Sequence, residues 1–304
     1  MKQDSLGIAL VQMTAVDSLE ANLSQFETIF KNIEQYGASS HSASLPSKDS
    51  GRLGHSLDLV CFPENCLFMR IKSSDAVEGF ELSHPAFTWI GEWAQRLKVR
   101  IHLGSIPLII DGKLFNSSIW LKEDGSVQVG YQKLHLFDIT LRGQTPIRES
   151  DVFTHGESPL IHEYKGWKIG ESICYDLRFS ELYSYYAKEN VDLILVPAAF
   201  LDETGKAHWE ILLRVRAIES QCYVVASAQT GVHRSVRHSG QERRTHGKSM
   251  IVEPWGSVEL NLGVETGVQF HWLQKDKINQ VRTQIPMASH RRMHSLPKAK
   301  KSVF

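Results

Sequence analysis

The 304-residue sequence lacks several features that mark particular classes of protein. It has only four cysteines, Cys61, Cys66, Cys174 and Cys222, too few for the disulfide framework of a secreted protein. No apolar run is long enough to span a bilayer, and the N-terminal one is too short for a signal peptide. Lys plus Arg and Asp plus Glu both total 34, so no charge surplus attracts nucleic acid or anionic lipid. We therefore expect a cytoplasmic protein without nucleic-acid or membrane partners.

Motifs for several kinds of chemistry are also absent. The sequence contains no G-x-S-x-G, no G-x-x-x-x-G-K-[ST] and no G-x-G-x-x-G. Its 14 histidines form no H-x-H or H-E-x-x-H pair. Cys61 and Cys66 have a loosely metal-like spacing, but no second Cys or His pair completes a site. We therefore expect neither a metal ion nor a cofactor.

Apolar patterning predicts an α/β fold. Residues 6–13 and the run "VDLILVPAAF" indicate strands that are buried on both faces. Residues 84–99 and about 206–220 carry apolar side chains at helical spacing. Short strands separated by turn signals such as Asp-Gly fill the middle of the chain. This mixture favours two sheets packed face to face with helices outside, a four-layer α-β-β-α sandwich.

A single domain over residues 1–304 is the simplest interpretation, because the sequence shows no internal repeat. Residues 38–56 are rich in Ser, Gly and Pro without periodicity, which predicts a mobile surface loop. The basic segment from about 290 to 304 is predicted to be a solvated tail.

Three separate residues are candidates for chemistry. Cys174 follows an apolar strand and precedes a charged helix start, where free N–H groups can stabilise a thiolate; a buried core cysteine is the alternative. Glu64 ends a strand, either as an exposed loop charge or as a pocket carboxylate with a raised pKa. Lys133 alternates with apolar residues, either on an edge strand with its ammonium in water or in a pocket with carboxylates. The residues alone leave these alternatives open.

Three motifs in order nevertheless resemble those of one family. "FPEN" contains Glu64, "YQKLHLFD" contains Lys133 and "ICYDLRFSEL" contains Cys174. This order and context resemble the nitrilase (carbon–nitrogen hydrolase) superfamily, and the similarity covers nearly the whole chain. The chain looks most like the Nit branch, which contains ω-amidases and deaminated glutathione amidases. The resemblance implies the nitrilase-like form of the four-layer sandwich.

The resemblance also implies a mechanism. Glu64, Lys133 and Cys174 would form a catalytic triad in which Glu64 is the base, Cys174 the nucleophile and Lys133 an oxyanion stabiliser. A small linear amide, either an ω-amide or a deaminated-glutathione-like compound, would be cleaved to acid and ammonia through a Cys174 thioester. A raised pKa of Glu64 would suit its role as base. The family commonly pairs subunits, so a homodimer or higher homo-oligomer is expected.

Four further residues receive supporting roles, Glu149 and Tyr175 by the same resemblance and Arg178 and Phe200 by their chemistry and position. Glu149 would orient Lys133 or the attacking water, although a surface glutamate is the alternative. The backbone N–H of Tyr175 would bind the oxyanion. Arg178 could anchor a substrate carboxylate or form a structural ion pair with an acid. Phe200 would line the pocket.

The same residues are compatible with other functions. A nitrilase or an N-carbamoyl amide hydrolase could use the same triad. A non-catalytic binding or scaffold protein could keep the fold, although such a protein has no need of all three residues.

Overall fold

The structure, a computed structural model, describes residues 4–42, 56–72, 74–140 and 146–292. The strands of this part of the chain are β1 (Ser5–Gln12), β2 (Leu59–Cys61), β3 (Arg100–Ile110), β4 (Lys113–Leu121), β5 (Val127–Gln132), β6 (Asp138–Ile139), β7 (Ile147–Arg148), β8 (Ile161–Tyr164), β9 (Trp167–Glu171), β10 (Leu193–Leu195), β11 (Tyr223–Ala226), β12 (Thr230–Arg234), β13 (Glu242–His246), β14 (Met250–Val252), β15 (Val258–Asn261) and β16 (Gly267–Gln274). The helices are α1 (Leu19–Ser42), α2 (Pro85–Leu97), α3 (Ser180–Lys188), α4 (Asp202–Ser220), α5 (Lys275–Gln284) and α6 (Met287–His290), with a 3₁₀ helix at Cys174–Arg178.

Most strands belong to two six-stranded sheets. The first has the order β16-β1-β2-β3-β4-β5 and the second β15-β14-β11-β10-β9-β8. The central strands β1, β2 and β3 are parallel, as are β9, β10 and β11, while the outer pairs are antiparallel. Two separate ribbons, β6 with β7 and β12 with β13, lie outside these sheets.

The central strands are apolar on both faces because each face is covered. In β1, Ile8 points into the layer between the sheets, whereas Ala9 packs in the outer cluster with Phe26 of α1. In β10, Leu193 faces the layer between the sheets and Ile194 faces the outer cluster formed with α3 and α4. Alternation along a strand explains both contacts. The predicted four-layer α-β-β-α sandwich is confirmed.

The predicted loop at 38–56 and the predicted C-terminal tail fall partly outside the described residues. Helix α1 continues through Ser42, so it includes the first residues of the segment 38–56 that was predicted to be a loop. Residues 43–55 and 293–304, which contain the rest of that segment and nearly all of the predicted tail, are not described. None of the described helices is both long and apolar enough to cross a membrane.

A buried carboxylate links the two sheets just before the predicted nucleophile. Glu171, at the end of β9 in the second sheet, accepts hydrogen bonds from Ser118 (2.5 Å) and Trp120 (2.8 Å) of the first. Its carboxylate also lies 2.9 Å from His102 and 2.5 Å from His162. Burial alone would raise the pKa of Glu171, but the two histidines outweigh burial and hold that pKa well below its ordinary value. The contacts therefore fix the strand that leads into Cys174.

We expect Glu171→Gln to lower the free energy of unfolding at neutral pH by about 2–4 kcal/mol, because a partner of buried polar groups is removed. Since the pKa of Glu171 is lowered in the folded protein, the unfolded chain binds the proton first as pH falls. The stabilisation is therefore present above the ordinary pKa of 4.5 and is lost below it. Urea unfolding across a pH series should show a shallower acid loss in the variant than in the wild type. The exposed Glu163→Gln on β8 is the control, and the same acid loss in all three proteins would contradict this interpretation.

Candidate active site

Cys174 lies at a sharp corner between β9 and the 3₁₀ helix. Its φ of +49° is in the left-handed region, which non-glycine residues occupy only when the surroundings hold them there. Its own N–H donates to the Pro197 carbonyl (2.8 Å), which ties the corner to the chain after β10. Tyr175 follows in the first turn of the helix, where N–H groups have no intrahelical acceptor. The corner therefore places a thiol beside a backbone donor.

The fully buried carboxylate of Asp176 holds this corner against the Lys133 segment. It accepts hydrogen bonds from the Ile173 N–H (2.9 Å), the His135 N–H (2.9 Å) and the Tyr131 hydroxyl (2.9 Å). Tyr131 is in β5, and His135 follows the strand closely. One side chain therefore fixes the position of the cysteine relative to the lysine.

The ammonium of Lys133 is buried between two carboxylates. Its Nζ lies 2.9 Å from Oε1 of Glu64 and 2.9 Å from Oε2 of Glu149, and the residue is 1% exposed. The amide of Asn116 donates to both carboxylates, at 3.0 Å to Glu64 and 2.8 Å to Glu149. The Ala199 N–H donates to the other oxygen of Glu64 (2.8 Å). Glu64 is therefore a pocket carboxylate and Lys133 a pocket cation, not the exposed alternatives.

These contacts determine the resting charge of the site. Burial would raise the pKa of Glu64, but the charge and hydrogen bond of Lys133 outweigh burial and lower it. Burial would lower the pKa of Lys133, but Glu149 and Glu64 raise it. Burial, and then the negative charge of Glu64, raise the pKa of Cys174 well above the ordinary value. The resting site therefore contains a thiol, an ammonium and two carboxylates. The expected raised pKa of Glu64 is wrong for this state, because contact with Lys133, which is distant in the sequence, outweighs burial.

The supporting residues also lie at this site. Glu149 accepts a further hydrogen bond from the Phe137 N–H (2.6 Å), so it is a buried partner of Lys133 and not a surface residue. Arg178 contacts the ring of Phe200 (5.1 Å to the centroid) and lies 3.1 Å from Nδ1 of His208. Within the described residues, no carboxylate lies close enough to pair with Arg178.

A cleft of about 730 Å³, including its solvent-filled mouth, opens onto these groups. Its lining is apolar apart from a few polar groups and six charged side chains. The charged side chains are Glu64, Glu149, Lys133, Arg70, Arg178 and Arg243. Phe200 also lines the cleft. Among the described residues, no group of three His, Cys, Asp or Glu side chains is arranged to hold a metal ion.

Sequence reasoning missed four residues of the site. Asn116 and Arg243 come from β4 and β13, far from the motifs, and no local pattern identifies them. Asp176 has a weak signal, since it lies two residues after the cysteine at a helix start where carboxylates cap N–H groups. Arg70 lies six residues after Glu64, and its sequence context resembles that of any loop arginine.

Comparisons with known proteins relate the chain to one family and to several solved structures. The family model described as carbon-nitrogen hydrolase matches residues 7–283. A deaminated glutathione amidase of Synechocystis is 33% identical over 288 residues, which is 93% of this chain and 97% of that protein. The crystal structure of the C. elegans NitFhit protein has a TM-score of 0.79 at 28% identity over 96% of this chain and 66% of that one. Saccharomyces cerevisiae Nit3, of branch 10 of the nitrilase superfamily, has a TM-score of 0.76 at 25% identity, over 96% of this chain and 98% of that one.

The buried ion cluster generates a prediction about stability. In Lys133→Gln, Glu64 and Glu149 lose their cation, so the folded-state pKa of at least one of them rises above its unfolded value. The folded variant holds the proton of that carboxyl more tightly than the unfolded chain does. Its free energy of unfolding is therefore highest at low pH and falls as pH rises through the folded-state pKa. We expect a deficit relative to wild type of about 3–5 kcal/mol near pH 8 and a smaller one near pH 5.

Urea unfolding of both proteins at the two pH values measures this deficit. The exposed Lys188→Gln at the end of α3 should show no such pH-dependent deficit. If Lys133→Gln shows the same deficit at both values, the lysine does not stabilise two buried carboxylates.

Proposed function

This chain belongs to the carbon–nitrogen hydrolase family, and we propose that it is an amidase that cleaves a small carboxylate-bearing amide through a thioester on Cys174. The substrate is a deaminated-glutathione-like compound or an ω-amide. The observation that carries the proposal is the meeting of the Cys174 thiol, the Glu64 carboxylate and the Lys133 ammonium in one cleft. These are the nucleophile, base and electrostatic stabiliser that acyl transfer requires.

Acylation begins with the neutral thiol. The Cys174 sulfur attacks the amide carbon while its proton passes to Glu64, the carboxylate that lines the same cleft. The resulting oxyanion accepts hydrogen bonds from the Lys133 ammonium and from the Tyr175 N–H. Removal of one such preorganised donor costs about 10²–10³ in kcat.

The attack of the thiol moves negative charge within the buried site and creates no new ion there. Before attack, the Lys133 ammonium faces the carboxylates of Glu64 and Glu149. When Glu64 takes the thiol proton it becomes neutral, and one negative charge appears on the oxyanion beside the same ammonium. Because the total charge in the buried site is constant, the step avoids the cost of burying a new ion.

Glu64 then delivers its proton to the leaving amine, and the C–N bond breaks to give the thioester. A water molecule attacks the thioester carbon as Glu64 accepts one of its protons, and Cys174 leaves with that proton as the acid is released. The leaving group depends on the substrate: a primary ω-amide gives ammonia, whereas deaminated glutathione gives cysteinylglycine. The expected release of ammonia therefore applies only to primary amides.

Other residues bind the substrate or hold the reacting side chains in position. Glu149 and Asn116 hold the ammonium and the base in place through the contacts described above. Arg178 anchors a substrate carboxylate with its guanidinium, and Phe200 packs against the substrate chain.

We propose a homodimer or a higher homo-oligomer that acts on a small molecule in the cytoplasm, without a nucleic-acid, membrane, metal or cofactor partner. The four cysteines, all buried and none in a disulfide, support a reducing compartment.

The substrate class is tested with α-ketoglutaramate, deaminated glutathione, a simple nitrile and an N-carbamoyl amino acid. We expect 2-oxoglutarate from one or both of the first two, with ammonia from the amide and cysteinylglycine from the tripeptide analogue. Turnover of only the nitrile or the carbamoyl compound would overturn the amidase assignment and keep the triad. No turnover in the whole panel would favour a non-catalytic role.

The nucleophile is tested with Cys174→Ala in the same assay. We expect turnover to fall at least about 10³-fold, because no other group can form the acyl intermediate, while thermal stability stays near wild type. Cys222→Ala removes another buried thiol outside the cleft and should keep activity. Substantial turnover by Cys174→Ala would contradict the mechanism.

A further inference from the structure

Two arginines line the cleft without a role in the proposed chemistry. Arg70 comes from the loop that follows Glu64, and Arg243 is the second residue of β13. Both are half-buried in the same cleft as Cys174. Because the two residues are far apart in the sequence, a local structural role for each one does not explain why both line the same cleft.

Neither guanidinium has a carboxylate partner within the described residues. The acids whose charges act on Arg70 are Glu149, Asp151 and Asp75. Glu149 is held by Lys133 and Asn116, Asp75 lies 2.9 Å from His238, and Asp151 forms no ion pair with Arg70 or Arg243 in the described structure. The Nε of Arg243 is buried and has no hydrogen-bond partner in the part of the chain that the structure describes. A buried guanidinium N–H without an acceptor is costly, so an acceptor from outside the chain is favoured.

The two cations also repel each other. Both guanidinium groups line one cleft, and burial, and after it the positive charge of Arg243, lower the pKa of Arg70. A single anion that accepts hydrogen bonds from both guanidinium groups would relieve the repulsion and satisfy the Nε of Arg243. A carboxylate fits, because guanidinium groups bind it in bidentate geometry.

The charge of the whole cleft points to the same ligand. Four cationic side chains and two carboxylates line it, which leaves two positive charges uncompensated. Arg178 comes from the 3₁₀ helix and packs on Phe200, whereas Arg70 comes from the loop after β2 and Arg243 from β13. An excess of two positive charges matches a substrate with two carboxylates.

We propose that Arg70 and Arg243 form a second carboxylate-binding subsite, so that the cleft selects amides that carry two carboxylates. Arg178 binds one carboxylate and the arginine pair binds the other. This inference rests on the proposed function and deepens it. Deaminated glutathione carries two carboxylates, whereas α-ketoglutaramate carries one.

The test compares the double variant Arg70→Gln/Arg243→Gln with Arg178→Gln on three amides: deaminated glutathione, α-ketoglutaramate and the uncharged glutaramide. We expect each variant to lower kcat/KM for deaminated glutathione about 10- to 100-fold, chiefly through KM. Only one of the two variants should cause a comparable loss with α-ketoglutaramate, because a single carboxylate occupies one subsite. The loss with glutaramide should be smaller in both.

The matched control is Arg244→Gln. Arg244 is the next residue of β13, is exposed and points to the opposite face of the ribbon. Its variant should match wild type on all three amides. If the double variant loses activity equally on all three amides, or loses none on deaminated glutathione, the subsite does not exist.

Binding of deaminated glutathione to Cys174→Ala, which cannot turn it over, separates this inference from the proposed function. Calorimetry compares Cys174→Ala alone with Cys174→Ala that also carries the double variant or Arg244→Gln. If wild type hydrolyses none of the amides, yet only the double variant loses at least about tenfold in affinity, the subsite is correct and the proposed function is wrong. Equal affinity in all three proteins would overturn the subsite.

Discussion

The site depends on one buried ammonium held between two carboxylates. Lys133 can remain charged in the interior because Glu64 and Glu149 both contact it, and Lys133 in turn holds the pKa of Glu64 below its ordinary value. The carboxylates outnumber the ammonium, so a thiolate at Cys174 would add a second excess negative charge. Burial, and after it this negative charge, are why the cysteine rests as a thiol with a raised pKa. In the proposed mechanism, the thiol therefore loses its proton only as the sulfur attacks, with Glu64 as the acceptor.

The four-layer fold brings these groups together from separate sheets. Glu64 follows β2 and Lys133 follows β5 in the first sheet, whereas Cys174 follows β9 in the second. Their distances therefore depend on how the sheets are packed, and Glu171 fixes that packing three residues before the nucleophile. A rigid framework of this kind keeps donors and base within hydrogen-bond distance before the substrate binds, which is what electrostatic stabilisation of an oxyanion requires.

The layers of the fold and the residues Glu64, Lys133 and Cys174 could both be predicted from the sequence, for different reasons. Continuous apolar strands such as β10 indicate burial on both faces, and burial on both faces implies helices outside the sheets. Glu64, Lys133 and Cys174 lie in short motifs whose order resembles one family. Asn116 could not be predicted in the same way, because its contact with two carboxylates depends on the pairing of β3, β4 and β5. The direction of the Glu64 pKa shift could not be predicted for the same reason, since it depends on contact with Lys133, which lies 69 residues away in the sequence.

The ionisation state of Cys174 tests the central claim most directly. Thiolate absorbs in the ultraviolet, so the difference in absorbance between the wild type and Cys174→Ala, followed across pH, titrates this one thiol. We expect Cys174 to contribute no thiolate at or below the ordinary cysteine pKa of about 8.5. A full thiolate signal near neutral pH would contradict it, because the cysteine would then rest as an ion pair with Lys133 and would need no base.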